Sequence, residues 1–106
     1  TYIDNVIQAN LLSLVTTNEE AINTVYNVAY GDRNTLNDLM GYSKEYLSEF
    51  DSKISNIEVI YGPNRAGDIP HSHASVDKAK EKLNYNPQFT LQQGLKEAVK
   101  WYWENL

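Results

Sequence analysis

The chain has 106 residues, 9 Lys and Arg against 14 Asp and Glu, a formal net charge of −5 and no Cys. That length supports a single hydrophobic core over residues 1–106 and no second independent domain, and the missing thiols exclude disulfide frameworks, cysteine nucleophiles and thiolate metal sites. The acidic balance excludes general nucleic-acid affinity, which needs a clustered basic face, and no apolar run approaches the roughly 20 residues of a membrane span; a soluble, cytoplasmic domain is expected.

The chain opens at Thr1 with neither an initiator Met nor the basic and apolar regions of a signal peptide, so it reads as a cut piece of a longer protein. Ile3, Val6, Ile7, Asn10, Leu11 and Leu14 follow the spacing of an amphipathic helix over about Tyr2 to Val15, with Thr1 as N-cap and Asp4 three residues on. Thr16 to Glu20 is polar and reads as a loop. The β-rich run Val25-Tyr26-Asn27-Val28-Ala29-Tyr30 predicts a strand that ends in a turn at Gly31-Asp32. Thr35 and Asp38 form a capping pair for a helix that carries Leu36, Leu39, Met40, Leu47 and Phe50 on one face. Ile57-Glu58-Val59-Ile60-Tyr61 reads as a buried strand, bounded by Ser55-Asn56 and Gly62-Pro63.

Residues 62–75 contain two Pro, two Gly, both His and an Arg without any period, which predicts a long irregular segment of the kind that carries function. Ser75 then caps a short helix that turns Val76, Ala79 and Leu83 inward, Asn84 suits its left-handed C-terminus, and Pro87 forbids continuation. Thr90 with Gln93 opens a last helix whose inward face is Leu91, Leu95, Ala98, Val99 and Tyr102. The alternation is that of an α/β domain, mostly helical with two or three short strands. Because a two-stranded sheet is marginal alone, the piece is expected to rest against the rest of its parent chain.

Candidate chemistry concentrates in Arg65-Ala66-Gly67-Asp68-Ile69-Pro70-His71-Ser72. A guanidinium suits phosphate oxygens and a carboxylate accepts from hydroxyls, so Arg65 and Asp68 could hold the diphosphate and ribose of a nucleotide; from the residues alone a surface ion pair that stiffens a loop is the commoner reading. His71 and His73 begin a metal site, but no third ligand completes zinc or iron geometry, and Ser72 has no orienting acid for a nucleophilic triad. Gly31-Asp32-Arg33 offers backbone donors and a cation for an anion, or simply a tight turn. The Lys78 to Lys82 run reads as a solvated helix face, and Trp101 and Trp103 as packing at a helix end. No Gly-x-Gly-x-x-Gly turn or P-loop occurs.

Three stretches resemble a known family. Thr1 to Asn10, the run Tyr26 to Ala29 followed by Gly31-Asp32-Arg33-Asn34-Thr35-Leu36, and the Arg-x-Gly-Asp motif at Arg65 to Asp68 with Asp77-Lys78-Ala79 and the Leu83 to Pro87 turn are similar to the C-terminal part of extended short-chain dehydrogenase/reductases. Within that family the resemblance is specifically to nucleotide-sugar 4-epimerases of the UDP-N-acetylglucosamine type. The resemblance implies that Arg65 contacts the UDP diphosphate and Asp68 the ribose hydroxyls, with Ser72 and Arg33 near the same ligand. It further implies an NAD-binding Rossmann domain and a Tyr-x-x-x-Lys catalytic pair upstream of residue 1, a UDP-sugar as substrate, and a homodimeric parent. Tyr42 and Tyr46 lack the Lys of that pair, so the chain by itself is expected to be inactive. Ser75 where the family often has Asp, and Asn84 where it often has Gly, keep the capping functions. A dehydratase or decarboxylase of the same superfamily, and a non-catalytic α/β interaction module, are the alternatives.

Overall fold

The computed structural model describes residues 1–63, 66–67 and 73–106. Among these described residues four α-helices appear in order, α1 Ile3–Val15, α2 Leu36–Ser48, α3 Asp77–Leu83 and α4 Leu91–Asn105, with 3-10 turns at Glu19–Ala21 and Ser52–Asn56. The chain divides into two compact units, one of Thr1–Asp32 and His73–Gly94, the other of Arg33–Ser72 and Leu95–Leu106.

In the first unit α1 packs on α3. Its core is Ala9, Val76, Ala79 and Tyr85, with Leu12, Tyr26, Val28 and Ala29 against it. Small residues at the helix contact, Ala9 and Ala79, let the two backbones approach closely. The side of α1 that turns inward is therefore Asn5 and Ala9, while Ile3, Ile7, Leu11 and Leu14, expected to face a core, are exposed. Asn5, 1% exposed, explains this choice: its amide donates to the Phe89 carbonyl (2.7 Å) and accepts from the backbone N–H groups of Gln88 (2.9 Å) and Phe89 (3.1 Å). One turn on, Gln8 exchanges two hydrogen bonds with the Asn86 backbone, both at 2.8 Å. The amides of α1 thus do for residues 86–89 what a neighbouring strand does in a sheet.

The α1 cap differs from expectation: the N-cap is Tyr2, which makes no capping hydrogen bond with its side chain. Tyr2 instead lies on Phe89, with ring centroids 4.8 Å apart, and against Gly94 of α4. At α3 the N-cap is Val76, one residue later than expected, and the Asp77 N–H donates to Ser75 Oγ at 3.3 Å. Asn84 ends α3 at φ 56°, the left-handed conformation that its short polar side chain tolerates. The Lys78 to Lys82 run is more than a solvated face. Lys78 donates to the Val25 carbonyl (3.0 Å) and sits 5.0 Å from the centre of the Tyr26 ring, and Lys82 pairs with Glu20. That pairing holds the Glu20 carboxyl below, and the Lys82 ammonium above, its ordinary range.

In the second unit, α2 starts at the expected capping box. Thr35 Oγ1 accepts from the Asp38 N–H (3.1 Å), and the Asp38 carboxylate accepts from the Thr35 N–H (2.8 Å). The helix packs on the Ser52–Asn56 turn, and Lys44 donates to the Ile57 carbonyl at 2.7 Å. The second unit's part of α4 buries Val99 and lays Trp103 on Phe50, with centroids 5.4 Å apart; Lys96 lies 5.6 Å from the Tyr46 ring and 3.4 Å from Glu49. Trp101 lies edge-on to Tyr102, and Tyr102, expected inward, is exposed. The Thr90–Gln93 box at the start of α4 closes as expected, by hydrogen bonds of 3.0 and 3.2 Å.

No strand is present among the described residues, so the expected α/β architecture with short strands is corrected to helices joined by irregular segments. Val25–Tyr30 and Ile57–Tyr61 have β propensity but meet no ladder. Propensity of that kind expresses itself only where a neighbouring strand supplies hydrogen bonds and a covered face. Ile60 is 93% and Tyr61 75% exposed, the reverse of the buried strand predicted there. In the first unit, residues 26–29 are held instead by side chains: Tyr26 donates its hydroxyl to Ala21 (2.8 Å) and Tyr85 its hydroxyl to Ala29 (2.9 Å).

Candidate functional site

The first unit carries an open cleft of about 380 Å³, floored by buried Val76 and Pro87 and rimmed by Gly31, Asp32, His73, Ser75, Asp77, Lys80 and Asn86. The Gly31-Asp32 turn contributes to its lining. Gly31 adopts φ +102°, a conformation that side-chain-bearing residues rarely take, and a Cβ built there would meet Val76 Cγ2 at 3.4 Å. The Gly31 carbonyl oxygen lies 3.1 Å from His73 Nε2. Because a carbonyl only accepts, Nε2 carries the proton in this contact. Asn27 donates to the Ser75 carbonyl at 3.3 Å, a second tie between the same two stretches. α3 contributes Asp77 and Lys80 to the lining, three residues apart on one face of the helix.

The cleft mixes one ammonium, two carboxylates, an amide and an imidazole above an apolar floor. That composition can orient a polar ligand by hydrogen bonds; within it the Ser75 hydroxyl donates to the Asp77 carboxylate (2.9 Å). Among the described residues, no three or more His, Cys, Asp or Glu gather in a metal-holding arrangement, and no helix is long and apolar enough to cross a membrane.

Of the candidate residues read from sequence, Arg33 is described and exposed, immediately after Asp32 in the chain. Arg65, Asp68 and Ser72, and with them the alternative ion pair of Arg65 and Asp68, lie outside the described residues, as does His71. Sequence reasoning missed the contributions of His73, Lys80 and Asn86 to the cleft. The 77/80 spacing on α3 was the available signal for Lys80; for Asn86 there was none, since its position depends on Gln8 across the fold.

Among the described residues, the N-terminus of α2 does not fit the pyrophosphate of a dinucleotide such as NAD. The chain has no Gly-rich strand-turn-helix, and α2, the helix that follows the Gly31 turn, already holds the Asp38 carboxylate at its N-terminus, where a pyrophosphate would have to bind.

No family model matches the chain. It is 30% identical over 106 residues to a UDP-glucuronate 4-epimerase of Thermodesulfobacterium geofontis, a match covering 100% of this chain and 30% of that protein. It is 29% identical over 112 residues to UDP-glucuronate 4-epimerase 4 of Arabidopsis thaliana (96% and 24%) and 26% identical over 106 residues to a UDP-N-acetyl-alpha-D-glucosaminuronate decarboxylase of Bacillus cytotoxicus (98% and 32%). The chain spans about a quarter to a third of the length of these curated relatives. The likeness supports the epimerase and extended short-chain dehydrogenase/reductase resemblance of the motifs, and does not single out the UDP-N-acetylglucosamine type.

Proposed function

We propose that this chain is the nucleotide-sugar-binding part of a UDP-sugar 4-epimerase of the extended short-chain dehydrogenase/reductase family. The observation that carries the reading is similarity along 96–100% of the chain to enzymes named for UDP-sugar conversion, in a sequence that also holds the Arg-x-Gly-Asp motif at residues 65–68. In this reading the Arg65 guanidinium holds the diphosphate, Asp68 accepts from the ribose hydroxyls, and Ser72 and Arg33 complete the polar contacts. The redox chemistry is supplied by NAD bound to a part of the parent outside these residues, so residues 1–106 form a single binding part that has no turnover alone. The parent is a homodimer. Its substrate is a UDP-hexose, UDP-N-acetylhexosamine or UDP-hexuronate, the last suggested by the UDP-glucuronate 4-epimerases among the relatives.

The decarboxylase relative favours a second reading, in which the same contacts serve loss of CO₂ from a UDP-hexuronate. One experiment separates them. The full-length enzyme is incubated with UDP-glucose, UDP-N-acetylglucosamine and UDP-glucuronate, and products are followed by proton NMR; C4 epimers support the proposal, and a UDP-pentose with released CO₂ supports the second reading. UDP titrated calorimetrically into the wild type and Arg65→Ala should bind the variant about tenfold or more weakly, as expected for loss of a charged hydrogen bond. Equal affinity would remove Arg65 from the site.

A further inference from the structure

We infer that the exposed stripe of α1 is a docking face for the part of the parent that lies outside residues 1–106, an inference that rests on the reading of the preceding subsection. Ile3, Ile7, Leu11 and Leu14 recur every three or four residues, which at about 3.6 residues per turn sets them along one side of the helix. They are 57%, 46%, 56% and 80% exposed. Rotation of the helix cannot hide them, because its other side is fixed: Asn5 and Gln8 are bonded to the backbone of residues 86–89, and Ala9 is in the core.

The composition of α1 tells what kind of surface covers the stripe. Asp4 is the one charged residue of this 13-residue helix, whereas α3, packed against it, carries five charges in seven residues. A helix with apolar residues outward and no charge beyond its first turn is not made for a solvated face. Its surface has the composition of a permanent interface, a core divided between two bodies. Of the bodies that are always present, the remainder of the same polypeptide is the nearest. The similarity covers 96–100% of this chain but 24–32% of the relatives, so most of such a protein lies outside the match and is kept close to α1 by the chain itself. The occupant is accordingly an apolar patch of that remainder, whose side chains interleave with the stripe as they do in a protein interior.

The test uses the full-length parent. In hydroxyl-radical footprinting of the unmodified protein, Leu11 and Leu14 should lose their reactivity and be oxidised as slowly as Leu83, which is 4% exposed. Oxidation at the rates of half-exposed and exposed leucines would overturn the docking. Photocrosslinking from p-benzoylphenylalanine in place of Leu14 then identifies the cover. The expected product is an adduct within one chain, to a residue outside these 106. An adduct to another of the 106 residues, or a product of twice the mass that assigns the face to a second copy, would overturn the proposal. A protein that protects the stripe but neither binds UDP nor converts a UDP-sugar would support the docking and overturn the functional reading; an active epimerase with a reactive stripe would do the reverse.

Discussion

The two units answer the same problem, irregular backbone without a sheet, in opposite ways. In the first, residues 27–31 and 86–89 are tied down by Asn5, Gln8, Tyr85 and His73, and Ala9, Ala21, Val76, Ala79, Leu83, Tyr85 and Pro87 are buried. In the second, residues 57–61 are held at the Ile57 carbonyl by Lys44, Val99 is the buried apolar residue among those described, and Leu36, Ile60 and Tyr61 are at least 75% exposed. The difference traces to side-chain size and type. Alanines let α1 and α3 come close enough for amides to reach backbone, whereas the second unit stacks aromatics, Tyr42 on Tyr46 and Phe50 on Trp103, at centroid distances of 6.4 and 5.4 Å that leave rings partly in water.

The comparison breaks most easily where the first unit is tightest. A Cβ added at Gly94 would fall 2.4 Å from Tyr2 Cβ and 2.6 Å from its Cγ, atoms too near the backbone to swing away. Alanine gains about 1 kcal/mol of helix propensity over glycine, but overpacking of this severity costs more, and Gly94→Ala should destabilise the protein by about 3 kcal/mol net. A urea-unfolding midpoint unchanged by Gly94→Ala would show that the first unit is not closely packed there. Partial recovery in the Tyr2→Gly, Gly94→Ala pair would identify the clash as the cause.

Gly94 also shows where sequence reading reaches its limit. A glycine in the middle of a helical pattern reads only as a weak point; that it makes room for Tyr2, more than ninety positions away, is a fact of tertiary structure. The starts of α2 and α4 and the end of α3 were legible because their chemistry is local: the Thr35–Asp38 and Thr90–Gln93 boxes and the left-handed Asn84 lie where the residues say, while the N-caps of α1 and α3 were each placed one residue too early. Strands were not, because Val25–Tyr30 and Ile57–Tyr61 carry a preference that only a distant partner can satisfy. The inward side of α1 was misread for a related reason. Its apolar stripe is the more obvious one, but Asn5 can satisfy three backbone groups at residues 88–89, and burying it wins. Of the site, the Gly31 turn was legible as a turn, while the His73 contact needed the fold to bring residues 31 and 73 together.

A smaller effect is expected from the ion pair that ties α3 to the Glu19–Ala21 turn. The Lys82 hydrogen bond, and then its charge, lower the Glu20 pKa from the ordinary 4.5, and Glu20 likewise raises that of Lys82 from 10.5. A lowered carboxylate contributes stability above its unfolded pKa and loses it as pH falls through the folded one; a raised ammonium contributes below its unfolded pKa and loses it as pH rises through the folded one. The stability difference between the wild type and Glu20→Gln should therefore be flat between about pH 4.5 and 10.5, shrink on either side, and shrink throughout with added salt, because both groups are solvent-accessible. A difference that persists undiminished in strong acid would mean that the pair is not its source.

The smallest expected effect bears on the second unit. Ile60 is 93% exposed, so Ile60→Ser removes almost nothing from the core and should change stability by no more than about 0.5 kcal/mol. Were Ile57–Tyr61 the buried strand that its composition suggests, the same substitution would cost about 1.5–3 kcal/mol. The urea midpoint of this single variant thus decides between propensity and structure at residues 57–61. A large loss would place Ile60 under cover, and the second unit would then resemble the first in burying its apolar residues; a negligible one leaves the contrast between a closed unit and an open one standing.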